Sequence, residues 1–221
     1  MIPWDNNAYY SFDMNVTILC HVCCAPIFQD NPTGSEEIDV KNIAYIATTI
    51  GHEIGHAFDG GGSNFNEKGN IQKCWEPSDE EIFNKKKDMI AELHGSYPAF
   101  ISDIDREVLY QDGKNVTNEA MADLGGTEVA LHILKKMYPG NDDYVRRFFI
   151  MTAEQWNNTL LDNERIGDLE LMIGDVHPQS RARANCVAMC MDEFYRVFDV
   201  KGTDAMYIAP EDRVELWKAA S

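Results

Sequence analysis

The chain has 221 residues, 44% hydrophobic and 10% aromatic, which is enough apolar material for a full core and excludes a disordered segment. With 37 acidic against 19 basic residues its formal charge is −18, which argues against a nucleic-acid partner and opposes binding to anionic membrane. No apolar run is long enough to span a bilayer, and the start, Met1-Ile2-Pro3-Trp4-Asp5-Asn6, lacks the basic and apolar regions of a secretory leader, so a cytoplasmic location is expected if the chain is complete.

Residues 5 to 28 contain Asn7-Ala8-Tyr9-Tyr10 and the β-branched run Asn15-Val16-Thr17-Ile18-Leu19, which predict a short strand or hairpin. An extended segment of this kind offers backbone and Asn amide groups to an extended peptide. Residues 29 to 39, with Pro32 and Gly34, read as a loop. From Val40 to about Phe58 the apolar residues Ile43, Ile46, Ala47, Ile50, Ile54 and Phe58 keep helical spacing, and Gly60-Gly61-Gly62 stops the run. Ser78-Asp79-Glu80-Glu81 has the form of a capping box for a second helix that runs towards Pro98, and His94, late in it, reads as a surface residue favoured by the helix dipole.

After a turn at Gly113, Thr117 and Asn118 are candidate N-caps for a helix from Glu119 to about Met137. A further helix is predicted from Asp142 to Leu160, a break at Gly174-Asp175-Val176-His177-Pro178, and a last helix from Ser180 to Phe198. An extended tail, Ala205 to Pro210, ends in a short turn around Trp217. Six cysteines (Cys20, Cys23, Cys24, Cys74, Cys186, Cys190) are too sparse for a disulfide scaffold. Cys20-His21-Val22-Cys23-Cys24 has a spacing that can hold a structural metal but lacks a second Cys-x-x-Cys, whereas Cys186 and Cys190, four apart, read as core. Asn-x-Thr sequons at Asn15, Asn115 and Asn157 leave the compartment open.

The chemistry concentrates in Gly51-His52-Glu53-Ile54-Gly55-His56. Residues four apart on a helix lie one turn above one another, so His52 and His56 present two imidazoles to one point with Glu53 beside them. Two neutral imidazoles suit Zn²⁺, and the neighbouring carboxylate is placed to take a proton from a metal-bound water. Such a site needs a third protein ligand, for which Glu119 is the best candidate, with Asp123 one turn on to accept the N–H of a liganding imidazole. His177, in a loop, is a candidate for oxyanion stabilisation, and Arg181 or Arg183 for gripping a carbonyl or carboxylate.

These stretches, together with Glu119-Ala120-Met121-Ala122-Asp123-Leu124-Gly125-Gly126, Asp175-Val176-His177-Pro178 and the tail Met206-Tyr207-Ile208-Ala209-Pro210, closely resemble the neprilysin-like zinc endopeptidases. The resemblance covers essentially all of residues 1–221 as one catalytic domain. It implies a mainly α-helical, thermolysin-like zincin fold with a small N-terminal hairpin. It further implies one Zn²⁺ per chain held by His52, His56 and Glu119, with Glu53 as base, Asp123 orienting a histidine and His177 stabilising the transition state. Asn7 and Ala8 would pair with substrate backbone, and Arg183, rather than Arg181, would bind substrate. Gln155-Trp156 resembles a segment of the pocket for the residue after the scissile bond.

Two departures stand out, Thr48-Thr49 where the family has apolar residues and Val116-Thr117-Asn118 where it has a Thr-Leu-Gly lead. Family members also carry a further lobe ahead of the Asn-Ala-Tyr-Tyr stretch that closes over the site, so a preceding lobe or a partner chain is expected. The implied activity is hydrolysis of oligopeptides. The competing expectation is a zinc-stabilised remnant that binds peptide but turns over poorly.

Overall fold

The computed structural model describes residues 7–20, 28–73, 75–101, 108–157 and 174–217. Strands β1 (Ala8–Ser11) and β2 (Val16–Leu19) form the expected hairpin, antiparallel, with Ala8 opposite Leu19 and Ser11 opposite Val16. The turn closes through Asn15 at φ 51°, a left-handed conformation that asparagine tolerates better than most residues. Of the Cys20-His21-Val22-Cys23-Cys24 cluster, Cys20 is buried and the rest lies outside the described residues.

The helix bearing the histidines starts earlier than its apolar spacing suggests. Helix α1 (Glu36–Asn42) begins inside the stretch expected to be a loop. Asn31 accepts the Ser35 N–H (2.7 Å) and donates to Ser35 O and Asp39, while Glu36, Glu37 and Asp39 put negative charge in the first turn, where the helix dipole favours it. A wider π turn, Ile43–Ala47, leads into α2 (Thr48–Gly55), and the hydroxyls of Thr48 and Thr49 donate to the carbonyls of Ala44 and Tyr45 there. Helix α2 ends at Gly55 rather than Phe58. The cause is Asp59, whose Oδ1 accepts the N–H groups of Gly61 (2.6 Å) and Gly62 (2.8 Å) and turns the chain back over His56. A Cβ on Gly62 would meet His56 O at 1.9 Å, so no larger residue fits the turn.

Helix α3 (Pro77–Ser96) opens on a proline, which supplies a ready-made helical φ, so Ser78 to Glu81 lie inside its first turn and make no capping box. Its His94 is not at the surface: it is 4% exposed. The short pair β3 (Phe100–Ile101) and β4 (Val108–Leu109) precedes α4 (Thr117–Met137), where the Thr117 hydroxyl donates to Gly113 O instead of capping. Helix α5 (Asp142–Glu154), capped by Asn141 accepting the Tyr144 N–H, stops at Glu154 rather than Leu160, because Gln155 and Trp156 turn aside to Thr49 and Arg183. The expected last helix is two, α6 (Ser180–Met189) and α7 (Asp192–Phe198), broken at an extended Met191 (φ −103°, ψ 120°) that turns Phe194 and Tyr195 into the core. Cys186 and Cys190 are buried there, as expected.

One core joins these helices: Val40 of α1, Ala44 of the π turn, Ile90 of α3, Leu124 and Leu134 of α4, Phe148 of α5, Val187 of α6 and Phe194 of α7. Across it, α4 meets α2 at very close range. Gly51 lies against Gly126 and Gly55 against Ala122, so the two helices run antiparallel with their backbones in contact. A Cβ on Gly126 would stand 2.4 Å from the His52 nitrogen, and one on Gly51 2.8 Å from Gly126 Cα. Gly126→Ala is therefore expected to push the helices apart, costing about 1–3 kcal/mol of stability as overpacked cores do. Thermal unfolding with metal analysis checks this; an unchanged Tm and metal content would contradict so tight a crossing.

Candidate metal centre and cleft

The antiparallel crossing sets His56, His52 and Glu119 around one point. His52 Nε2 and His56 Nε2 are 3.1 Å apart, Glu119 Oε2 is 3.2 Å from the first, and Glu119 Oε1 is 3.6 Å from the second. Among the described residues this is the one group of His, Cys, Asp and Glu whose donor atoms all lie within 4.8 Å of one another. The outer nitrogens are already committed: His52 Nδ1 lies 2.7 Å from Asp123 Oδ1, and His56 Nδ1 lies 2.7 Å from Asp59 Oδ2. A carboxylate partner keeps the proton on Nδ1 and leaves the Nε2 lone pair free. Two such lone pairs and a carboxylate facing one another at this range repel unless a proton or a metal cation lies between them. The donor set of two imidazoles and one carboxylate fits Zn²⁺ with a position left open.

Glu53 stands beside this point, 5% exposed, with Oε2 buried and without a hydrogen-bond partner. Burial raises its pKa. Asp123 is buried too; burial works to raise its pKa, but the charges of Arg183 and His52 outweigh that and hold it well below the usual carboxylate range. Arg183 grips it with two bonds, Nε to Oδ2 at 2.7 Å and Nη2 to Oδ1 at 2.8 Å, and lies 3.9 Å over the Trp156 ring. Burial disfavours the charged form of His52, yet Asp123 and Glu119 raise its pKa to about 9, so the point between the side chains favours positive charge.

A cleft of about 660 Å³ surrounds the centre, and Asn7, Ala8, Glu53, His177 and Arg183 all line it. His177 Nε2 is 3.5 Å from Glu119 Oε2, and its Nδ1 is 2.8 Å from Asp175. Of the two candidate arginines, Arg183 faces the cleft, whereas Arg181 lies 6.0 Å over the Tyr97 ring. Thr48, Thr49, Thr152 and Gln155 give one wall a hydroxyl and amide lining, with the Gln155 amide donating to Thr49 Oγ1 at 3.2 Å. Sequence reasoning assigns no role to Asp59, three residues after His56, although a carboxylate one turn past a candidate metal-binding histidine is a readable signal. It also leaves out Gln111, Asn115 and the contact of Trp156 with Arg183.

His94, expected at the surface, instead backs this network. Its Nδ1 is buried without a hydrogen-bond partner, and burial lowers its pKa from 6.5 to about 4. A folded-state pKa below the unfolded one means that between these values only the unfolded chain takes the proton, so stability falls as pH drops from about 6.5 towards 4. His94→Leu is expected to remove roughly 2–3 kcal/mol of that pH-dependent loss. Urea unfolding of both proteins between pH 7 and pH 4.5 measures it, and parallel curves would refute a buried neutral His94.

Paired helices with His-Glu-x-x-His on one and a glutamate on the other, around a core of further helices, make this a zincin-type fold. The sequence profile of Peptidase family M13 matches residues 7–214, and the chain belongs to that family. It is 36% identical over 212 residues to a neutral endopeptidase of Lactococcus lactis subsp. lactis, covering 96% of this chain and 31% of that one. To neprilysin-3 of Drosophila melanogaster it is 28% identical over 229 residues, covering 98% and 27%. Its structure is similar to that of the Mycobacterium tuberculosis zinc metalloprotease Zmp1 bound to an inhibitor, with a TM-score of 0.85 at 30% identity over 99% of this chain and 33% of that one. PepO of Lactobacillus rhamnosis gives 0.82 at 25% identity, over 98% and 32%. The chain thus spans about a third of the length of these relatives. The helical fold with its small hairpin is the one the resemblance implies.

Proposed function

We propose that these residues form the catalytic part of a zinc-dependent endopeptidase acting on oligopeptides. The observation that carries the reading is the pair of facing Nε2 atoms, each with its Nδ1 bonded to a buried carboxylate, converging on Glu119 beside Glu53, whose buried Oε2 has no hydrogen-bond partner. In this reading His52, His56 and Glu119 hold one Zn²⁺. Bound there, the metal supplies Lewis-acid polarisation of the scissile carbonyl and lowers the pKa of water. Glu53 takes the proton from the attacking water and delivers it to the leaving amine, a task suited to a carboxylate whose pKa burial has raised. His177 donates to the oxyanion that develops on the carbonyl, from a position within reach of Glu119. Asn7 and Ala8, at the start of β1, pair with substrate backbone, and Arg183, whose Nη1 takes no part in the Asp123 pair, anchors a substrate carbonyl. A second lobe or a partner chain completes the cleft, a reading supported by relatives about three times as long.

The protein is expected to bind about one Zn²⁺ per chain, with His52→Ala and His56→Ala losing it. Glu53→Gln should keep the metal while hydrolysis falls by roughly 10²–10⁴-fold. Elemental analysis alongside cleavage of a quenched fluorogenic peptide decides: hydrolysis by Glu53→Gln at the wild-type rate would remove Glu53 as base. Asp59→Ala should weaken zinc binding about ten- to a hundredfold, as should Asp123→Ala. Chelator competition measures both, and wild-type affinity in either variant would deny that carboxylate its orienting role.

A further inference from the structure

The loop that carries His177 is held by side chains of the segment between β4 and α4. Gln111, 4% exposed, sits between β4 and α4 and reaches across to the loop with both ends of its amide. Its Nε2 donates to His177 O at 3.0 Å, and its Oε1 accepts the Gln179 N–H at 2.6 Å. Four residues on, Asn115 Nδ2 donates to Gly174 O at 3.2 Å and to Asp175 O at 3.0 Å. Two side chains thus take the carbonyl of His177 itself, two carbonyls ahead of it and the amide two residues after it. Within the loop, Asp175 Oδ1 accepts the backbone N–H of His177 at 3.0 Å and lies 2.8 Å from its Nδ1, so the ring is held relative to the same backbone that the amides hold.

The segment bearing these amides is itself rigid. Asp112 O accepts the N–H groups of Asn115 and Val116, Asp112 Oδ1 accepts that of Lys114, and the Thr117 hydroxyl donates to Gly113 O. A Cβ on Gly113 would stand 1.8 Å from Ala91 O, so the turn is pressed onto α3 where only glycine fits. Continuous with it, α4 begins at Thr117 and presents Glu119. The same turn therefore sets both Glu119 and, through Gln111 and Asn115, the loop whose His177 Nε2 stands 3.5 Å from Glu119 Oε2.

We propose that Gln111 and Asn115 are positioning residues for His177, which hold the imidazole at the transition state without touching substrate or metal. This rests on the reading of His177 as the oxyanion donor. The ring is half-exposed, so its alignment leans on the backbone beneath and on Asp175, and misplacement by about an ångström at a reacting centre costs on the order of a hundredfold in rate.

The test is steady-state cleavage of a quenched peptide by the zinc-loaded protein carrying Gln111→Leu, Gln111→Glu, Asn115→Ala, His177→Ala, and Gln111→Leu with His177→Ala. Gln111→Leu is expected to lower kcat about ten- to a hundredfold with KM and zinc content within about twofold of wild type. Gln111→Glu retains the acceptor for Gln179 but sets a carboxylate against His177 O, so it should lose a similar factor. Exposed Asn115→Ala, which leaves the buried amide in place, should lose a few-fold. The double variant should be no slower than His177→Ala alone, because the clamp has nothing left to position. If His177→Ala is slow and the Gln111 variants keep wild-type kcat, or the double variant shows the product of the two losses, the clamp is overturned while the reading of His177 stands. If His177→Ala turns over at the wild-type rate, that reading falls and the clamp's catalytic role with it. A fall in zinc content or a rise in KM that accounts for the loss in Gln111→Glu and Asn115→Ala would make the two amides merely structural and also overturn the proposal.

Discussion

The backbone contact between α2 and α4 is the constraint on which the rest of the centre depends. A carboxylate is short, and for Glu119 to stand 3.2 Å from a nitrogen carried by another helix, the two axes must approach more closely than side chains on both faces allow. Gly51 and Gly55 on one helix, Ala122 and Gly126 on the other, remove those side chains at matched four-residue spacing. The antiparallel sense then follows the order of the donors, with Ala122 and Glu119 running towards Gly55 and His56. Glycines inside helices cost roughly 0.5–1 kcal/mol each relative to alanine, and here that cost is offset by the core that closes around the crossing.

Charge is the second theme. Glu53, Glu119, Asp123 and Asp59 put four carboxylates within a few side chains of one another, in a chain whose net charge is already −18. Arg183 is the buried counter-charge: it pairs with Asp123 through two bonds and stacks on Trp156, which shields it from water and aligns it. Asp123 in turn bonds to Nδ1 of His52, so the arginine and the candidate metal donors form one network reaching from Trp156 through Arg183 and Asp123 to His52. Asp59 does the corresponding work for His56, but its own anchor is local, the N–H groups of Gly61 and Gly62 in the turn that ends α2.

Much of this centre is legible in the amino-acid sequence. The i, i+4 spacing of His52 and His56, the Glu119 and Asp123 pair and the run of small residues around them are periodic signals, and helical periodicity is what a sequence displays most directly. The pairing of Glu119 with the histidines joins residues far apart in sequence: the residues make Glu119 the best candidate, and the resemblance implies the set. Helix boundaries differ from their expected places where a distant side chain decides them: Asn31 starts α1 early, and Asp59 stops α2 early. The break between α6 and α7 falls at Cys190-Met191, apolar residues that continue the helical pattern and carry no glycine or proline to mark it. His94 misleads because a histidine near a helix end looks polar, while the face it occupies is set by α3 packing against the Asp123 and Arg183 network. Gln111 and Asn115 bond to backbone carbonyls of a loop some sixty residues on, an interaction with no sequence pattern of its own.

The central claim, that the α2–α4 crossing is built to hold a metal between two imidazoles and one carboxylate, is tested most directly by X-ray absorption at the zinc edge of the metal-loaded protein. The account predicts a shell of imidazole nitrogens at about 2.0–2.1 Å and carboxylate oxygen at about 2.0–2.2 Å, without sulfur. A sulfur shell at about 2.3 Å, as the Cys20-His21-Val22-Cys23-Cys24 stretch would supply, or a shell of light atoms without imidazole scattering, would contradict it.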